Sequence, residues 1–173
     1  MPEAESSPEE AFWRFSLAFY GAPGVADALL ALQDRDGLDV NLMLFALWLG
    51  ISGRGRLDSD ALAAAARLAG AVGGEVVEPL RTLRRRLKRN PDEDVQRLRE
   101  GVKALELEGE KLVQRRLARL AGPALGQIPA EDRLAAALAN LTLYLGPQRA
   151  RSAEAIVIRD ALGHFMANGG RGL

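Results

Sequence analysis

Apolar residues return every three or four positions along almost the whole chain, the spacing of amphipathic helices rather than the alternation of strands. Ser7-Pro8-Glu9-Glu10 sets a hydroxyl cap, a proline at the first helical position and a glutamate at N3, which together predict a helix start. The helix carries Phe12, Phe15, Leu17 and Phe19, with Trp13 and Tyr20 beside them, and stops at Gly21-Ala22-Pro23-Gly24. A second helix runs from Val25 to about Arg35, presents Leu29 and Leu32, and ends at Gly37. A third opens near Asp39 and is apolar on every side from Leu42 to Leu49, the pattern of a helix enclosed by other helices.

Beyond a glycine-rich loop at Gly50 to Gly55, Asp58 or Ser59 caps an alanine-rich helix that ends at Gly73-Gly74. The fifth helix spans Glu75 to Asn90, with Leu80, Leu83 and Leu87 on its apolar face. Pro91-Asp92-Glu93-Asp94 starts the sixth and longest, which reaches about Leu120 with acids at its start and arginines at its end. Val95, Leu98, Val102, Leu105 and Leu112 mark a heptad-like seam along it. Two more helices cover Ala130 to Leu145 and Ser152 to Met166. The expectation is a single all-α, orthogonal or bundle-like domain of about eight helices over residues 8–167, containing a long antiparallel hairpin from Glu75 to Leu120. Residues 1–7 form an acidic disordered tail in this reading, and 168–173 a flexible one.

Composition narrows the chemistry. Lys+Arg and Asp+Glu each number 23 in 173 residues, so no global charge draws the chain to nucleic acid or a membrane surface. Nearly all the basic residues are arginine, which with the heavy use of alanine points to a GC-rich bacterial genome. There is no cysteine, which excludes disulfides, thiolate metal sites and thiol catalysis. The acidic N-terminus lacks the basic-then-apolar order of a secretory signal, and the apolar run Val40 to Ile51 is far shorter than the roughly 20 residues of a membrane span. A cytoplasmic protein is the default expectation.

Four features invite a functional reading. Asp34, Asp36 and Asp39 are closely spaced, but Gly37 divides them between a helix end and a helix start, so capping is expected and no metal. Arg81, Arg84, Arg85 and Lys88 make a basic stripe that could hold a polyanion or an acidic protein surface. A sharp turn at Asn90-Pro91 would bring Glu93 near Lys88 and Glu100 near Arg81, neutralising part of it. Nucleic acid is weakly supported, because no aromatic residue accompanies the stripe. Trp13, Tyr20, Asn41, Phe45 and Trp48 are candidates for an apolar pocket wall, with solid core as the competing use. His164 is the only histidine and has no second catalytic partner or ligand, so its role is expected to be structural.

The stretch FWRFSLAFYGAPGVADALLALQDRDGLDVNLMLFALWLG, residues 12–50, resembles a family of short proteobacterial proteins of unknown function. The resemblance implies a helical cytosolic protein and assigns no catalytic residue. The leading expectation is a non-catalytic interaction or adaptor module, needing no cofactor, that binds a protein or polyanion partner or a second copy of itself. The alternative is a carrier of an apolar, isoprenoid-like ligand. An enzyme ranks third, because no thiol, histidine pair or convergent set of acids is present.

Overall fold

A computed structural model describes residues 7–121 and 127–169. The tails expected at 1–7 and 168–173 lie outside the described residues except for Ser7, Asn168 and Gly169. The described chain is all-helical: α1 (Pro8–Tyr20), α2 (Val25–Asp36), α3 (Val40–Ile51), α4 (Ser59–Val72), α5 (Glu78–Leu87), α6 (Glu93–Leu120), α7 (Arg133–Arg149) and α8 (Ala153–Ala167). A π-turn, Gly73–Val77, joins α4 to α5, and a 3₁₀ turn, Ala130–Asp132, leads into α7.

The caps read from sequence are in place. Ser7 Oγ accepts from Glu10 N, Asp39 Oδ1 from Asn41 N at 2.7 Å, and Asp58 Oδ1 from Ala61 N. Gly37 ends α2 in the left-handed region at φ 68°, where only a residue without Cβ is unstrained.

The expected break at Gly73-Gly74 is not a break. Both glycines stay helical and the chain passes through them in a wider turn, so α4 and α5 form one continuous rod and the described helices make seven rods rather than eight. A π-turn inserts one extra residue and shifts the helical phase by about 100°, so the apolar pattern before it and after it no longer match. That mismatch reads as two helices in sequence. The hairpin is correspondingly longer than expected, its first arm being the whole rod from Ser59 to Leu87, packed along α6.

Glycines explain how closely some helices approach. A Cβ on Gly109 of α6 would lie 3.0 Å from Val77, so this glycine lets the π-turn dock. Gly101, in contrast, has nothing within 4 Å of where a Cβ would be. Gly50 was expected to begin a loop but lies inside α3, where its missing Cβ lets α3 cross α7 against the backbone of Ala137.

The core gathers around α3, which touches α1, α2, α4, α6 and α7 and is buried from Asn41 to Ile51. Phe12 stacks on Trp48 at 4.9 Å and tilts against Phe45, while Phe15 and Phe19 stack on each other and meet the edge of Phe165. Asn140 of α7 is fully buried and ties α3 to the loop after it. Its amide donates to Ala46 O and Gly55 O at 3.2 Å each, and its oxygen accepts from Leu57 N at 2.8 Å. Gly146 and Pro147 interrupt α7 just after Leu145, where sequence placed its end. His164 Nδ1 lies 2.8 Å from the carbonyl of Asp160, one turn back in α8. No single described helix is long and apolar enough to cross a membrane.

Candidate functional site: a groove with a charged floor

Arg81 is the centre of a polar network where α5, α6 and α3 meet. Its guanidinium donates to Glu78, to Glu106 at 3.1 Å and to Glu110 at 2.6 Å. Arg84 donates to both oxygens of Glu106. Glu110 also accepts from the amide of Asn41, whose oxygen accepts in turn from Gln114 at 3.0 Å. Asn41, a candidate for a pocket wall, thus both bonds α6 and lines the groove. Burial works against charge on Glu106, but hydrogen bonds from Arg84 and Arg81 outweigh it and hold its carboxyl below the usual carboxylate range. Burial dominates at Glu110 and at Asp39 and pushes both carboxyls up, against the hydrogen bonds they accept. Tyr144, whose hydroxyl accepts from Asp39 N at 2.8 Å, is pushed up to about 12 by burial.

Two hollows flank this network. The first, about 410 Å³, lies beside the π-turn, lined by Gly70, Gly73 and Gly74 together with Asp34, Asp39, Asn41, Arg81 and Glu110. The second, about 390 Å³, is a groove bounded by α1, α2, α3, α5 and α6. Its floor is Asn41, Arg81, Glu106, Glu110 and Gln114, and its rim is Trp13, Leu17, Tyr20, Leu30 and Leu107. Leu17 and Leu107 keep 55% and 46% of their surface in solvent, and Tyr20 and Leu30 are exposed beside them. Lys111 Nζ sits 5.3 Å over the Trp13 ring.

The stripe and part of the aromatic set therefore share one groove. Arg81, Arg84 and Arg85 line it together with Trp13, Tyr20 and Asn41. Phe45 and Trp48, expected with them, are withdrawn into the stack with Phe12, because the all-apolar α3 is enclosed on every side. The expected pairing of the stripe also needs correction. Arg81 pairs with Glu106 and Glu110 rather than Glu100, which takes Arg99 and Lys103 instead. Glu93 forms no ion pair with Lys88 among the described residues; the turn at Asn90 is bridged by Gln96, whose amide donates to Leu87 O at 3.0 Å. Arg85 is held only loosely, 4.0 Å from an exposed Asp34. The three aspartates of residues 34–39 take separate partners: Asp36 binds Arg35 and Arg149, Asp39 caps α3, and Asp34 faces Arg85.

Asp39 gives a pH-dependent prediction. Its native carboxyl keeps a proton at a pH where the unfolded chain has lost it, so the native state binds more protons there and stability falls as pH rises. Asn caps a helix as well as Asp does. Asp39→Asn is therefore expected to melt above the parent at neutral pH, with the gap closing as pH falls into the ordinary carboxylate range. Melting curves of both proteins against pH check this, and a gap that widens on acidification would contradict it.

Fold and site thus define an all-helical module with an apolar-rimmed groove over a charged floor. The chain belongs to the family described as a protein of unknown function (DUF2390), whose model matches residues 11–117, a span that includes every residue of the groove. No curated protein and no solved structure matches it.

Proposed function

We propose that this chain is a non-catalytic interaction module that docks an acidic, amphipathic helical segment of a partner protein in the groove between α1, α2, α5 and α6. The observation that supports this most is the rim itself: Leu17, Tyr20, Leu30 and Leu107 leave apolar surface in water around one groove. Contiguous exposed apolar surface is costly for a monomer and marks interaction sites. Helix-in-groove recognition uses this arrangement, with apolar anchors at i, i+3 or i+4, and i+7.

Charge favours an acidic occupant. Three arginines line the groove against Glu106 and Glu110, an excess of one positive charge. Arg81 and Arg84 are committed to those glutamates, which leaves Arg85 to meet an incoming carboxylate. An apolar-ligand carrier would use the same Trp13 and Tyr20 wall but would have no use for Arg85.

Selection from a random peptide library tests the reading. Enriched peptides are expected to combine apolar anchors at helical spacing with Asp or Glu, and to lose about tenfold or more in affinity, roughly 1.4 kcal/mol, when Leu17 and Leu30 are both replaced by Glu. Peptides that bind this double variant as well as the parent would sink the proposal.

A further inference from the structure

The hairpin has a second face, turned away from the groove, and none of the described residues covers it. On α6, Leu98 and Leu105 lie one heptad apart and keep 60% and 58% of their surface exposed, while Val102 between them is buried. The sequence seam is therefore split in two by the packing. Helical phase puts Leu98 and Leu105 on the side of α6 opposite Leu107 and Glu110, which line the groove. On α5, Leu83 follows Arg81 by two residues, about 200° around the helix, and is also exposed. No residue of α5 is buried.

Gly101 stands in the middle of this face. Glycine inside a helix costs about 1 kcal/mol relative to alanine. Val77 accounts for Gly109, but nothing among the described residues accounts for Gly101, which is exposed with open space where a Cβ would be. A small residue flanked by leucines lets another helix cross closely there.

We propose that the occupant is a second copy of this chain, with α6 crossing α6 antiparallel about a two-fold axis near Gly101. The face is self-complementary about that point. The axis sets Leu98 against Leu105 of the second copy, and Arg97 against Glu108 of the second copy, and repeats both contacts on the other side. Arg97 and Glu108 are paired within the chain to Asp94 and Lys111, but those are exposed i,i+3 pairs of little net value, so exchanging them costs little. An interface of this kind is isologous and closes at two copies. Because the grooves lie on the far side of each hairpin, the pair would carry two docking sites facing outward, independently of whether the proposed occupant of the groove is correct.

Light scattering with size exclusion reads the result directly. The parent is expected at twice 18.6 kDa, and the Leu98→Glu, Leu105→Glu double variant at 18.6 kDa with an unchanged helical circular dichroism spectrum. Charge reversal gives a second readout in variants with an intact apolar face. Arg97→Glu alone and Glu108→Arg alone each juxtapose like charges and shift towards monomer, whereas an equal mixture of the two restores opposite charges at both contacts and forms a mixed dimer. A parent that stays at 18.6 kDa across the accessible concentration range would overturn the proposal, as would a dimer that survives the leucine substitutions.

Discussion

Gly50→Ala is expected to be among the most damaging single-methyl additions this chain can receive. The added Cβ would lie 2.7 Å from Ala137 Cβ and nearer still to the backbone nitrogen and Cα of Ala137. Side chains can rotate away from a new methyl group, but a helix backbone cannot. α3 would have to move off α7, and α3 carries Phe45, Leu47, Trp48 and Leu49 with it. Forced backbone shifts in a packed core cost about 3 kcal/mol or more, roughly 6–12 °C in melting temperature for a chain of this size. Thermal melting checks the magnitude. Ala137→Gly should give little rescue, because the closest clashes are with backbone atoms; full rescue would show that side-chain crowding alone was responsible.

Asn140 should be nearly as sensitive, for a different reason. Its amide is the hydrogen-bond partner of Leu57 N and Gly55 O, and it also reaches Ala46 O. Leucine has similar volume and offers no polar atom, so Asn140→Leu buries a donor and an acceptor with nothing to bind. Each such orphan costs about 1–3 kcal/mol, so a loss of roughly 2–6 kcal/mol is expected in denaturant unfolding. Asn140→Asp separates the contributions. It keeps an acceptor for Leu57 N but places a carboxylate against two carbonyl oxygens. Its deficit should shrink as pH falls and the carboxyl takes up a proton that can be donated to one of them. A pH-independent deficit would mean that packing, not hydrogen bonding, sets the cost.

Both predictions rest on residues that sequence reasoning did not single out. Asn140 sits in LANLTL with nothing to distinguish it from a solvent-facing amide, because its partners are 83 to 94 residues away. Gly50 reads as the start of a loop, since three more glycines or turn residues follow it. The only hint is the run of small residues Ala135, Ala136 and Ala137 on the helix it crosses, far away in sequence. Local chemistry, by contrast, was legible. The caps at Ser7, Asp39 and Asp58, the stop at Gly37 and the enclosed α3 all follow from short-range pattern, because each depends on neighbours within one turn. The π-turn is not legible in the sequence, because a phase shift and a chain break produce the same disruption of periodicity.

The groove was half legible. Arg81, Arg84 and Arg85 stand out in the sequence as one group and Trp13, Tyr20 and Asn41 as another, because they come from α5 and from α1 and α3, while the leucines of the rim carry no signal of their own. Nothing in the spacing of Trp13, Asn41 and Arg81 reports that they converge. The turn at Asn90 alone does not mark Glu106 and Glu110 as partners of Arg81, because the register of the hairpin also depends on Val77 packing on Gly109, which docks the π-turn onto α6.

In the proposed recognition the groove takes an apolar segment bearing a negative charge, and Arg85 meets that charge. The most direct measurement is a charge-swap titration with a library-selected acidic peptide. Arg85→Glu should weaken binding by about tenfold or more, and replacing the peptide's acidic residues by lysine should restore affinity for Arg85→Glu while abolishing it for the parent. Equal affinity of the acidic peptide for the parent and for Arg85→Glu would contradict the account.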